Sequence, residues 1–458
     1  MSFIKELILR LFSRMLTPSR IFMLSFAAVI LLGTFLLYLP VSASHCPLSF
    51  VDALFTSASA VCVTGLVVLD IGRDLSLTGQ AITLVLFQIG GLGIITFSVI
   101  LFGLMGRGIS FKGREIAQST FLHTPRRDFL VIIKWVLIST LAIEAIGTLI
   151  LFLRFLIDFP LGQSLYLAVY HAVSAFNNCG YTLFSDSLMS FQGDWIINIV
   201  VMLLIILGGI GFIVQYEIFM KLKKKQTRLS IHSKIVLLMS GVLLIAGTAL
   251  FYLFEMHHVI RDMPVEKQLL ISLFQSVTAR TAGFNTVDIG RVTNATILLF
   301  MVLMFIGASP GSTGGGIKTT SFTLLLMMIW NRLRGNEQVN IFNRTVPAEI
   351  LTRTLAIVFT STFFIFIITS ALLLWGHEAG YPPEQTRHYF VEYLFESVSA
   401  FGTVGLSMGI TQKLDDIQKL AVVLMMFAGR VGPLTLAFSW YSRRKKGLTY
   451  AEEPIMVG

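Results

Sequence analysis

One string of residues recurs four times along this chain, and any fold must accommodate all four copies at once. The first copy is Phe55–Leu66 (FTSASAVCVTGL) and the second is Tyr170–Tyr181 (YHAVSAFNNCGY). The third is Phe274–Phe284 (FQSVTARTAGF), shorter by about one residue, and the fourth is Phe395–Leu406 (FESVSAFGTVGL). Each opens on an aromatic residue, continues through small and hydroxyl-bearing residues, and closes on a glycine followed by Leu, Tyr or Phe. A second echo lies about 24 to 28 residues beyond each glycine: Gln88–Gly93, Leu207–Gly211, Phe305–Ala308 and Phe427–Gly432.

The copies sit between apolar stretches. Ile21 to Leu39, Ala81 to Leu104, Val131 to Phe152, Trp195 to Phe219, Ile235 to Leu253, Ala295 to Ile329, Ile350 to Leu374 and Leu420 to Tyr441 are each long enough to cross about 30 Å of hydrocarbon as a helix. With 55% hydrophobic residues, 13% charged residues and a mean hydropathy of +0.79, the chain carries more apolar surface than a water-soluble core could bury. The expected fold is an all-α integral membrane protein of four helix–pore loop–helix repeats, about eight transmembrane helices, with pseudo-fourfold symmetry around one pore. The repeats are expected at 21–106, 107–220, 221–332 and 333–458, after an interfacial N-terminal segment at 1–20 that shows no cleavable signal.

The net charge of +10 points to topology, not to nucleic acid. Its cations gather between repeats: Arg107, Lys112, Arg114, Arg126 and Arg127; then Lys221, Lys223, Lys224, Lys225 and Arg228; then Arg332, Arg334 and Arg344; and finally Arg443 to Lys446. The positive-inside rule puts these segments and both termini in the cytoplasm.

About a dozen residues precede each filter-string glycine, for example Leu48 to Ala60 or Tyr389 to Ala400, too few for a helix to cross the bilayer. Each such segment must enter and return. Unpaired backbone at membrane depth costs several kcal/mol per group, so a non-helical return is tolerated only beside water or inside protein. Four returns imply a shared aqueous centre. A short helix ending there presents its carbonyl end to a cation, and the following carbonyls can replace an ion's hydration shell, which is potassium-filter chemistry. The candidates are Val63, Thr64 and Gly65; Asn178, Cys179 and Gly180; Thr281, Ala282 and Gly283; and Thr403, Val404 and Gly405. The glycines are expected at positive φ, where a side chain would also obstruct the axis. Gly90, Gly91, Gly93, Gly208, Gly209 and Gly211 read instead as packing glycines under the loops.

The third repeat is broken at Gly307-Ala308-Ser309-Pro310-Gly311-Ser312-Thr313-Gly314-Gly315-Gly316-Ile317-Lys318. Proline and repeated glycine end any straight helix there, and the interruption falls halfway along an apolar run. It reads as a mobile gate under the filter or as a plain kink. Its likeness to a phosphate-binding loop fails, because Ile317 separates Gly316 from Lys318 and no strand precedes it. Arg430 lies mid-span in the fourth repeat and must face either the aqueous path, as an electrostatic barrier, or a set of carbonyls that it ties together. His171 reads as a loop histidine, and His257 and His258 as solvated residues. Cys46, Cys62 and Cys179 are too few and scattered for a disulfide framework. No nucleophile–base pair or metal set marks an enzyme. An alternating-access transporter would show inverted halves instead of four like-oriented loops.

Together, the four helix-loop-helix units, the string Ser-Ala-Phe-Gly-Thr-Val-Gly-Leu ending at Leu406, the break ending at Lys318 and the run Gly429-Arg-Val-Gly-Pro-Leu-Thr435 carry a resemblance. The chain resembles the Trk/Ktr/HKT superfamily of potassium transporters, most closely its bacterial Ktr B branch, from about residue 20 to the C-terminus. The resemblance implies a homodimer of pores in the cytoplasmic membrane and potassium uptake, with sodium as a coupling or activating ion and no covalent cofactor. It also implies a cytosolic nucleotide-binding regulatory ring as partner, of the Ktr A or Trk A kind. On this likeness Gly65, Gly180, Gly283 and Gly405 match the filter glycines, Gly307 to Lys318 the intramembrane loop, and Arg430 the arginine below the filter. Relatives that prefer sodium often carry serine at the first filter position, so glycine there favours potassium. Cys62 and Cys179 beside the filter are a departure that implies sensitivity to thiol reagents.

Overall fold

The computed structural model describes residues 18–93, 129–224, 228–376 and 383–432. The expected N-terminal segment as far as residue 17, the cationic stretch 107–127 and the basic cluster 443–446 lie outside these residues.

Four units of similar design follow one another. The first is α1 (Pro18–Tyr38), α2 (Phe50–Cys62) and α3 (Leu77–Leu92). The second is α4 (Phe129–Phe155), α5 (Leu161–Phe176), α6 (Trp195–Gly209) and α7 (Phe212–Leu222). The third is α8 (Ile231–Glu255), α9 (Val265–Thr278), α10 (Asn294–Phe305) and α11 (Thr319–Leu333). The fourth is α12 (Ala348–Trp375), α13 (Pro383–Gly402) and α14 (Asp416–Val431), preceded by a two-stranded hairpin of Asn340–Ile341 with Arg344–Thr345. In every unit an outer helix leads to a half-helix (α2, α5, α9 or α13), and an inner helix follows.

Local chemistry sets these boundaries. Side-chain oxygens of Ser49, Ser76, Asp194, Ser230 and Thr293 accept backbone N–H bonds at the starts of α2, α3, α6, α8 and α10, satisfying donors a helix start leaves free. Pro160 and Pro264 precede α5 and α9, where a missing N–H is harmless. Ion pairs and buried carboxylates then fasten outer to inner helices. Arg154 at the end of α4 meets Asp194 at 2.5 Å, and Glu255 at the end of α8 accepts from Thr293 N at 2.8 Å.

Among the described residues, three uninterrupted helices are long and apolar enough to cross a membrane: Ile132–Phe155, Ile231–Glu255 and Ala348–Trp375, the outer helices of units two, three and four. The inner helices depart from the apolar stretches of the sequence: the third is interrupted at Gly307 to Lys318, as expected, and the others bend or end at a glycine. Trp195–Gly209 and Phe212–Leu222 bend by 101°, within the stretch Trp195 to Phe219 whose length suits a single span. α3 and α14 end at Gly93 and Gly432, whose φ angles of 78° and 91° lie in the left-handed region that stops a helix. Gly211, at φ 92°, makes the second-unit break, so Gly93 and Gly211 are breaks and not simply packing glycines. Gly90, Gly91 and Gly208 do pack. A Cβ on Gly90 or Gly208 would overlap the carbonyl oxygen of Val61 or Phe176, and one on Gly91 the Asn177 side chain.

The inner helices join the units. α3 packs on α5, α6 on α9, α10 on α13, and α14 on α2, so each inner helix supports the half-helix of the next unit and the last contact returns to the first. The half-helix tips are buried, with Ala60, Ala175, Ala279 and Ala400 all at 0% exposure.

Candidate functional site

Where the half-helices end, the backbone repeats one conformation four times. Val63, Asn178, Thr281 and Thr403 take φ angles of 56°, 58°, 70° and 49°, a conformation costly for residues with a Cβ. Two residues on, Gly65, Gly180, Gly283 and Gly405 take φ angles of 90°, 78°, 80° and 93°. A Cβ added at each glycine would come closer than 3.0 Å to a carbonyl oxygen of a neighbouring unit. The oxygens are that of Cys179 for Gly65, Ala282 for Gly180, Val404 for Gly283 and Thr64 for Gly405, which closes a ring.

Buried hydroxyls anchor that geometry. Ser59 Oγ accepts from Gly65 N at 3.1 Å and donates to Leu66 O at 2.8 Å. Ser174 Oγ donates to Tyr181 O at 2.7 Å, Thr278 Oγ1 to Phe284 O at 2.5 Å, and Ser399 Oγ accepts from Gly405 N at 3.1 Å. The sequence reading noted small and hydroxyl residues without assigning these four a task. The available signal was their spacing, six residues before the glycine in three copies and five in the shorter third. Without such bonds the tight turn would leave buried donors and acceptors unmet at about 1–3 kcal/mol each.

All four glycines line one cavity of about 270 Å³, together with Asp70, Thr182, Asp186, Asn285, Ser407 and Thr411. The walls of this vestibule come from the loops that follow the glycines, within 65–71, 180–189, 283–289 and 405–412.

On the opposite side lies the glycine-rich break. Ile306 pairs with Ile317 as a parallel bridge, and Ala308 N donates to Gly315 O at 3.3 Å, so the segment folds back on itself. Gly307 is pressed on Gly316, a Cβ there falling 2.9 Å from its Cα. Ser309 N and Thr313 N donate to Gly209 O at 3.1 Å and Gly208 O at 3.3 Å, while Phe212 N donates to Gly311 O at 2.9 Å. The second-unit bend therefore supplies the backbone partners that the third-unit break needs. Pro310 O abuts Gly211, Ser312 Oγ donates to Ser309 O at 2.6 Å, and Ser309 Oγ lies 3.0 Å from Thr319 Oγ1. Residues beside the glycine ring touch this segment: Gly315 N donates to Thr403 Oγ1 at 2.9 Å, and a Cβ on Gly314 would strike Thr281 Oγ1. Lys318 Nζ donates to Gly314 O at 2.7 Å and Gly315 O at 3.4 Å.

Arg430 reaches the same segment. Its guanidinium donates to Thr313 O and to Gly90 O, with Gly91 O at 3.5 Å, so one side chain of the fourth unit bonds the break and the end of α3. Of the two sequence readings of this arginine, this is the geometry of a tie between carbonyls.

Three other expectations change or stand as follows. His171 is not a loop residue: it lies in α5 at 1% exposure, with Nδ1 2.8 Å from Leu167 O. His257 and His258 are exposed, and no group of potential metal ligands occurs among the described residues. Cys62 and Cys179 are free thiols at 0% exposure, so burial denies reagents the access that their position beside the filter suggested.

Apolar helices enclosing four half-helices, whose tips meet at a ring of glycines and carbonyls, define a membrane protein of the cation-transport class. Comparison with known proteins gives the family. The chain belongs to the TrkH family, described as cation transport proteins, whose profile matches residues 9–442. It is 37% identical over 446 residues to the Ktr system potassium uptake protein B of Bacillus subtilis, covering 96% of this chain and 97% of that protein. It is 38% identical over 443 residues to the protein of the same name from Vibrio alginolyticus, covering 96% and 94%. A potassium/sodium uptake protein, NtpJ, of Enterococcus hirae is 34% identical over 448 residues, covering 97% and 98%. In fold the chain is similar to the crystal structure of the potassium transporter TrkH from Vibrio parahaemolyticus, with a TM-score of 0.68, 18% identity, and coverage of 90% and 84%.

Proposed function

We propose that this protein takes up potassium across the cytoplasmic membrane through a single pore of pseudo-fourfold symmetry. One observation carries the reading: four glycines at positive φ, each pressed against a carbonyl of the next unit in a closed circuit, at the tips of four half-helices. Carbonyls held this way exchange for the hydration shell of a potassium ion, while the negative ends of the half-helices favour a cation at their meeting point. The ion enters from the vestibule, where Asp70 and Asp186 attract it, passes Val63 to Gly65 and their three counterparts, and meets the Gly307 to Lys318 segment beneath.

That segment is the gate, and Arg430 is the latch that holds it. Lys221, Lys223, Lys224, Arg228, Arg332 and Arg334 flank the end opposite the vestibule, so the gate faces the cytoplasm and so do both termini. The family likeness of the sequence supports a homodimer, sodium as an aid to uptake, and control by a cytosolic nucleotide-binding ring. The test is potassium uptake in a transport-deficient cell, with and without a co-expressed cytosolic partner, and with Gly65→Ser and Gly405→Ser beside the native chain. Uptake that prefers potassium over sodium, with a preference that falls in both variants at normal expression, is the expected result. Unchanged preference in both refutes the filter assignment.

A further inference from the structure

The half-helices carry a second repeated feature that conduction itself does not use. In each copy of the string the residue after the aromatic is polar: Thr56, His171, Gln275 and Glu396. All four are buried, at 2%, 1%, 0% and 0% exposure. Their chemistry differs, yet three of them do the same thing. His171 Nε2 lies 3.1 Å from Thr182 Oγ1, Gln275 Nε2 donates to Thr286 Oγ1 at 3.1 Å, and Thr411 Oγ1 donates to Glu396 Oε1 at 2.5 Å. Each of these threonines lies in the segment that leaves the filter glycine of the same unit: Thr182 and Thr286 lie just past Gly180 and Gly283, and Thr411 lies farther past Gly405, at the start of the 3-10 turn Thr411–Lys413. In the first unit the backbone takes over, with Tyr181 Oη of the second unit donating to Thr56 O at 3.0 Å.

A position chosen for packing alone would hold an apolar residue. Burying an amide or a carboxyl costs free energy unless every atom finds a partner, and here Gln275 Oε1 and Glu396 Oε2 find no hydrogen-bond partner among the described residues. The recurring gain is the bond to the threonine. Thr182 and Thr411 line the vestibule, and Thr411 Oγ1 bonds onward to Ser407 Oγ at 2.9 Å, on the same cavity wall. In the fourth unit a chain of bonds thus runs from the vestibule wall through Thr411 to the half-helix, and in the second His171 reaches the wall at Thr182.

We propose that His171, Gln275 and Glu396 are positioning residues for ion selection, struts that fix how far the segments leaving the filter glycines stand from the half-helices and so hold the spacing of the carbonyl ring. This rests on the reading of Gly65, Gly180, Gly283 and Gly405 as the filter. No strut touches the ion. Each acts through the segment that follows its glycine, and loss of one loosens a single side of the ring.

The experiment is a double-variant cycle read as potassium uptake against sodium competition, per molecule of folded membrane protein. Glu396→Ala and Thr411→Val remove the same bond from opposite ends. Each is expected to lower potassium preference by about threefold, the scale of one net hydrogen bond, and the double variant by no more than the larger single loss. Glu396→Gln keeps an oxygen for Thr411 and should retain the preference. If Glu396→Ala reaches the membrane poorly, Thr411→Val, a near-isosteric change, carries the test. Gly405→Ser in the same assay separates two failures. Strut variants that leave preference unchanged while Gly405→Ser lowers it, or losses that simply add, overturn the struts; an unchanged Gly405→Ser overturns the filter reading beneath them.

Discussion

Gly405 and Gly409 offer a matched pair for testing why glycine stands at the filter. Their φ angles are 93° and 90°, so alanine at either meets nearly the same backbone strain, about 1–3 kcal/mol. Their surroundings differ. Nothing lies within 4 Å of a Cβ built on Gly409, whereas one built on Gly405 overlaps Thr64 O and sits 3.0 Å from Gly65 Cα. Gly405→Ala must therefore push a filter carbonyl of the first unit aside, and Gly409→Ala pushes nothing. Both variants should lose stability through that strain, Gly405→Ala the more, but only Gly405→Ala should lose discrimination, by about tenfold, equivalent to about 1.4 kcal/mol between the two ions. Rubidium uptake under sodium competition, normalised to protein in the membrane, measures the loss. Equal losses of discrimination in the two variants would refute the reasoning, because strain and not carbonyl displacement would then be the cause.

Arg430→Gln removes charge-assisted bonds to Thr313 O and Gly90 O, each worth about 1.5–3 kcal/mol, while the backbone bonds of the segment to Gly208, Gly209 and Phe212 remain. Uptake per molecule should rise; a lower rate at normal abundance would make Arg430 a structural anchor instead of a latch. Deleting Gly311 to Thr313 takes out two of the three backbone bonds to the second-unit bend, leaving that of Ser309 N to Gly209 O, and maximal uptake should increase with affinity for the ion unchanged; a folded variant with level or reduced rate counts against the gate. Thiol reagents should modify the exposed Cys46 and leave uptake intact, since Cys62 and Cys179 are buried; inhibition that disappears in Cys62→Ala would show that the filter opens more than its packing implies.

The repeated string was legible because four copies constrain one another. A lone glycine among small residues has several uses, but the same spacing four times pointed to positive φ, and the backbone has it at Gly65, Gly180, Gly283 and Gly405. The break at Gly307 to Lys318 was legible for a simpler reason: proline and glycine density excludes a helix on local grounds. What escaped depends on partners distant in sequence. Gly91 and Gly93 sit two residues apart, yet one packs on Asn177 and the other turns the chain. His171 lies inside a half-helix because α5 runs from Leu161 to Phe176, an extent that the string itself does not mark. The carbonyls that receive Arg430 belong to residues 117 and 340 positions away, and no local pattern reports them.

The closed circuit of glycine against neighbouring carbonyl has an evolutionary side. In a pore assembled from four copies of one short chain, a single codon change alters every corner together. Here each corner has its own codons, and the histidine, amide and carboxyl at His171, Gln275 and Glu396 already differ. One substitution changes a quarter of the ring and strains only the two corners that touch it, so ion preference can drift in small steps through intermediates that still conduct.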